Sequence, residues 1–181
     1  TATCDLSGID IYKLDSFDGV SMACGDLGTV YTFDSNKDSW HGRSVKGYEK
    51  CCFYHIKICS KNSIFMCGGV SAIAHSKKRI PHGFILHSTD GGLTWNKVYS
   101  NPFQMVWTIE LDNTSNTLYA LMYTPNRTFI YNSIDGLNWR KATNLKKGIY
   151  QEKLYIEKSN VTLEGEDRGN TIIQASIARD A

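Results

Sequence analysis

Three aspartates, Asp34, Asp90 and Asp135, each precede a tryptophan by a few residues: Trp40, Trp95 and Trp139. Carboxylates on a recurring spacing are candidates for acid–base work, which needs carboxyl groups of different protonation state around one bond. Their surroundings argue for a different role. Ser88-Thr89-Asp90-Gly91-Gly92-Leu93-Thr94-Trp95 recurs, one residue shorter, as Ser133-Ile134-Asp135-Gly136-Leu137-Asn138-Trp139. A weaker copy is Thr32-Phe33-Asp34-Ser35-Asn36-Lys37-Asp38-Ser39-Trp40. One aspartate per repeat predicts three equivalent turns, in which the carboxylate accepts backbone N–H groups and glycine supplies positive φ. The residues expected to build them are Asp34 and Trp40; Ser88, Asp90, Gly92, Thr94 and Trp95; and Ser133, Asp135 and Trp139. No catalytic residue is assigned.

The remaining reactive side chains are scattered. Of five histidines, His75, His82 and His87 are close enough in sequence to converge on a hairpin, but no carboxylate stands at ligand spacing, and ordinary surface or strand roles are expected. The six cysteines, at 4, 24, 51, 52, 59 and 67, form no C-x-x-C pair, so no metal site is expected. Cys24 and Cys67 read as one position in two related strands, each a small buried hydrophobe. Cys51, Cys52 and Cys59 are open to disulfide pairing in an oxidising compartment, with the pairing undetermined. No nucleophile elbow, P-loop or dinucleotide fingerprint occurs, and no cofactor is expected. Trp107, Tyr123 and Tyr131 are aromatic residues able to stack on sugar faces; Trp107 and Tyr123 are the weak binding candidates, with Arg79.

Positioning such residues falls to strands. Each Asp/Trp turn follows a period-2 apolar run: Gly28 to Tyr31, Gly83 to Leu86, and Thr128 to Tyr131. Further strand-like runs lie upstream, at 20–24, 63–67 and 117–122. Each unit reads as strand, turn, strand, Asp/Gly turn, Trp-bearing strand, and nothing shows sustained helical periodicity. The expected class is all-β. At 181 residues, 41% hydrophobic and 21% charged, the chain fits about one globular domain rather than a disordered one. A net charge of +2 gives no case for nucleic acid, and no apolar run reaches the ~20 residues of a membrane span.

The S-x-D-G-G-x-T-W stretch at 88–95 resembles the Asp-box (BNR) repeat of β-propellers at every signature position. The resemblance implies propeller-type antiparallel blades over residues 1–144, with about three repeats between residues 20 and 144. Three blades fall short of the four to eight of closed propellers, which leaves three readings: the chain is a fragment, it self-associates to cover its open sheet edges, or something else covers the opening. Arg79-Ile80-Pro81 is similar to the R-I-P element of sialidases, whose arginine binds a substrate carboxylate; the remaining sialidase set is missing, and a solvated loop is expected. Residues 145–181 change character. Over 146–175 they resemble the opening coils of pectin methylesterases (pectinesterases), with Gly148, Tyr150 and Glu152 matching G-x-Y-x-E, which implies a short, incomplete β-helix-like segment.

The function implied is a non-catalytic, extracytoplasmic Asp-box propeller module that binds or positions a carbohydrate or protein partner, secreted or periplasmic, within a glycan- or pectin-handling protein. Two alternatives stand beside it. One is a piece of a carbohydrate-active enzyme, a pectinesterase or propeller glycosidase, with its active site outside this chain. The other is a protein-docking assembly scaffold.

Overall fold

The computed structural model describes residues 9–70, 82–124 and 127–142. Arg79, Gly148, Tyr150 and Glu152, and the whole pectinesterase-like segment, lie outside them. The described residues are all-β. Twelve strands form three four-stranded antiparallel sheets, each an up-and-down meander. Sheet 1 holds β1 (Ile11–Phe17), β2 (Val20–Gly25), β3 (Thr29–Asp34) and β4 (Ser39–Ser44). Sheet 2 holds β5 (Cys51–Ile58), β6 (Ile64–Val70), β7 (Gly83–Ser88) and β8 (Asn96–Asn101). Sheet 3 holds β9 (Met105–Asp112), β10 (Thr117–Thr124), β11 (Arg127–Ser133) and β12 (Arg140–Lys141).

Local chemistry sets the reversals. Phe17 pairs with Val20 across Asp18-Gly19, whose φ values of 52° and 74° make the two-residue hairpin loop that matches strand twist. The three sheets then share one register. The first strand of each carries a bulge against the second, at Tyr12, Tyr54 and Trp107. Counting from these bulges, Leu14 pairs with Ala23, Ile56 with Met66, and Ile109 with Ala120. Those partners pair in turn with Tyr31, Leu86 and Tyr131. Trp40, Trp95 and Trp139 each precede the residue paired with Thr32, His87 and Asn132 respectively, so they too share one position.

This register assigns each sheet two faces. The rear face of sheet 2 presents Phe53, Ile56, Met66, Leu86 and Trp95, all packed in one core with Met22, Cys24 and Val30 from the front of sheet 1. The same five positions in sheet 3 are Val106, Ile109, Ala120, Tyr131 and Trp139. They pack with Phe65, Cys67 and Ile85 from the front of sheet 2. Sheet 2 is therefore apolar on both faces, and β6 is a continuous buried run, whereas β10 alternates buried and exposed residues. Cys24 and Cys67 occupy the same front position and are fully buried, as small hydrophobes should be. No disulfide joins any of the described cysteines.

Candidate functional site

The repeated turns are closed on themselves. Asp90 accepts the Thr94 N–H at 2.9 Å, the Thr94 hydroxyl at 2.6 Å and the Ser88 hydroxyl at 2.7 Å. Ser88 Oγ accepts the Gly92 N–H at 2.7 Å, and Gly91 and Gly92 adopt φ of 73° and 87°. Asp135 repeats the pattern with the N–H groups of Leu137 and Asn138, the Asn138 amide and the Ser133 hydroxyl. These donors stabilise the ionised carboxylates. Thr94, through its hydroxyl and then its N–H, and next Ser88 hold Asp90 down at about 2. Asp135 is held lower still by Asn138, Leu137 and Ser133. Asp34 behaves differently. It accepts the Asn36 N–H at 3.0 Å and faces Lys37 Nζ at 3.4 Å, and the positive φ of its turn falls on Asp38. By strand register it stands one residue before the position shared by Asp90 and Asp135. All three tryptophans are half-buried rather than fully enclosed. Trp139 donates its indole N–H to the Gly136 carbonyl at 3.1 Å.

Among the described residues, His82 and His87 each take a separate partner. His82 shares a hydrogen bond with Ser100 Oγ and His87 with Ser63 Oγ, both at 3.0 Å; His87 also stacks on Phe65 with centroids 4.0 Å apart. His75 lies outside the described residues. Among the described residues no three His, Cys, Asp or Glu side chains form a metal-sized cluster.

The bulges produce a different convergence. A bulge re-aims one side chain out of the regular alternation, and here the residue re-aimed is aromatic in every sheet. The Tyr12 and Tyr54 rings lie 5.5 Å apart, Tyr54 and Trp107 4.6 Å, and Trp107 and Tyr123 6.3 Å. One aromatic row thus crosses all three first strands and ends on β10. Tyr12 and Trp107 are each 45% exposed and Tyr123 38%, so the rings remain open to a ligand. At its Tyr12 end the row meets Asp26, which also accepts the Cys52 thiol at 2.7 Å. Burial, then the Asp26 charge and hydrogen bond, push the Tyr12 hydroxyl up to about 12, so it stays a neutral donor.

Three residues beyond each bulge, the first strands carry Asp15, Lys57 and Glu110 at one shared position. Lys57 Nζ lies 4.0 Å from Asp15 and 3.3 Å from Glu110, and Asp15 also accepts the Ile58 N–H at 2.7 Å. His55 Nε2 lies 3.5 Å from Glu110, and its Nδ1 is buried without a hydrogen-bond partner. Burial, reinforced by Lys13, pulls His55 down to about 4 against the opposing pull of Glu110 and Asp15, so at neutral pH it is uncharged. An aromatic platform beside an alternating acid–base–acid line can bind a ligand that has both apolar faces and hydroxyl groups.

Trp107 and Tyr123, both marked by the sequence, fall on this row. Tyr131 does not; it packs against the core between sheets 2 and 3. Tyr12, Tyr54, Asp15, His55, Lys57 and Glu110 were not singled out. The available signal was an aromatic residue three places before a charged one in each unit: Tyr12 to Asp15, Tyr54 to Lys57, and Trp107 to Glu110. No protein-family model matches the chain, and no curated protein matches its sequence.

Proposed function

We propose that this chain is a non-catalytic, extracytoplasmic module of propeller type whose aromatic row holds a carbohydrate partner. The observation that carries the reading is the continuous row Tyr12–Tyr54–Trp107–Tyr123, built from the bulge position of three successive sheets. Sugar rings have apolar faces that suit exposed aromatic planes, and their hydroxyls suit Lys57 and Glu110. The propeller reading draws support from three meanders of identical register, stacked face to face, each with its last two strands joined at an Asp/Trp turn. Asp90 and Asp135 are fully engaged within their own turns, which favours a binding role over a hydrolytic one.

The test is intrinsic tryptophan fluorescence titrated with soluble polysaccharides, homogalacturonan first, followed by a glycan array. Saturable binding should weaken about tenfold or more in Trp107→Ala and Tyr54→Ala. Binding that survives both substitutions would overturn the assignment. Methanol release from esterified pectin above a heat-killed control would instead favour the enzyme reading.

A further inference from the structure

β4 carries an arginine whose charge the described residues do not balance. Arg43 pairs with Val30, a core residue of the joint between sheets 1 and 2, and so stands on the face of sheet 1 turned towards sheet 2. Its Nη2 is buried and has no hydrogen-bond partner. A guanidinium only donates and stays charged, so a nitrogen of it shut away from water without an acceptor is costly. Among the described residues Arg43 forms no ion pair. It lines a cavity of about 450 Å³ between the β3–β4 turn and the Asp90 turn of sheet 2. Thr32, Ser35 and Asn36 add hydroxyl and amide groups to the wall, while Phe33 and Leu93 add apolar surface, Leu93 being 70% exposed.

We propose that this cavity binds a small carboxylate that also carries hydroxyl groups, such as a uronic acid, with Arg43 holding the carboxylate. The charges around the cavity select the ligand. Asp34, on the same wall, is already paired with Lys37 at 3.4 Å and takes the Asn36 N–H, which leaves the Arg43 charge unbalanced. A carboxylate brings one negative charge and meets the flat guanidinium through two parallel hydrogen bonds. A phosphate monoester suits the cavity less, because its second charge would face Asp34. The volume is of the order that small-molecule sites use. Ligand hydroxyls find partners in Thr32, Ser35 and Asn36, and the apolar face of a sugar ring can lie on Phe33 or Leu93. The cavity is built from β3, β4 and the Asp90 turn, and the aromatic row from the first strands and β10. This inference is therefore independent of what the row binds.

Thermal melts of the 181-residue chain at constant ionic strength test it. The probes are sodium galacturonate, galactose and galactose 1-phosphate, each at about 10 mM. Galacturonate should raise the midpoint by about 2 °C or more, the phosphate by less, and galactose not measurably. Arg43→Met should abolish the shift. Without ligand that variant should melt at or above the midpoint of the unaltered chain, because the stem keeps its packing and an unpaired charge is gone. Trp107→Ala should keep the full shift, which separates the cavity from the row. No shift with galacturonate, or one matched by galactose or by the phosphate, overturns the proposal, as does a shift that survives in Arg43→Met. A lower midpoint of ligand-free Arg43→Met also overturns it, because the guanidinium would then be satisfied by the protein itself. Loss of the shift in Trp107→Ala overturns it too, and moves uronate binding to the aromatic row.

Discussion

Asp90 and Asp34 look alike in sequence and differ in what holds them. Asp90 gathers four hydrogen bonds from Ser88 and Thr94, two of them from the Thr94 N–H, whereas Asp34 takes one backbone N–H and a solvated lysine. Asp90→Ala should therefore lower the melting temperature by roughly 5 °C, and Asp34→Ala by much less; equal shifts would show that the two turns are energetically equivalent. Acid should act at two stages. The depressed carboxyls of Asp90 and Asp135 stabilise the fold above the ordinary carboxylate value of about 4, and that contribution is lost as pH falls towards about 2. His55, drawn down to about 4, acts earlier: the unfolded chain takes up its proton below about 6.5 while the native imidazole resists, so stability falls between those values. Urea titrations of His55→Gln should show a flatter stability profile from pH 6.5 to 4 and an unchanged loss below 4. The turn carboxylates were legible because Asp and Gly at fixed offsets before Trp state a local geometry. The His55–Glu110–Lys57 line was not, because Glu110 lies on β9, far along the chain from His55 and Lys57 on β5, and only the stacking of the sheets brings them together.

At the scale of the element, the sequence yielded the second, third and fourth strands of each unit and missed the first. The cause is the bulge. Tyr12, Tyr54 and Trp107 each insert one residue, so the alternation of Ile11 with Leu14, Phe53 with Ile56, and Val106 with Ile109 is spaced by three instead of two, and a period-2 reading loses phase mid-strand. The bulge has a counterpart on the neighbouring strand. Gly25 and Gly68 stand at one position of β2 and β6, where a Cβ would collide with the carbonyl oxygens of Asp10 and Cys52 respectively. Gly68→Ala should therefore cost about 3 kcal/mol or more, measured by urea unfolding, since the obstruction is backbone and cannot swing aside. A cost below about 1 kcal/mol would mean that β5 can shift relative to β6, and that the bulge does not fix the first strand.

Among the described residues, cohesion comes from two apolar joints between sheets, with no cross-link among the described cysteines. Thermal melts with and without dithiothreitol should therefore coincide within about 1 °C; a fall of the size that loss of a disulfide brings would contradict the joints as the source of stability. The sequence conveyed the class and the recurrence of the units. It did not convey their stacking order, because which face a strand presents depends on pairing partners far along the chain. The Asp/Trp turns also reach across these joints. Gly92 stands so close to Met22 that a Cβ would come within 2.7 Å of its methyl carbon, and Gly136 stands likewise against Phe65, at the position equivalent to Met22. The first turn has Ser35-Asn36-Lys37-Asp38 and no glycine at all. Seen as machinery, the glycine turns are latches that fasten each sheet to its predecessor, and sheet 1 has no latch. A protein engineer can use that asymmetry: residues 51–101, which carry a latch, a complete rear face and a complete front face, form a cassette that can be repeated in tandem to lengthen the array, whereas a duplicated sheet 1 would supply a joint without its fastening.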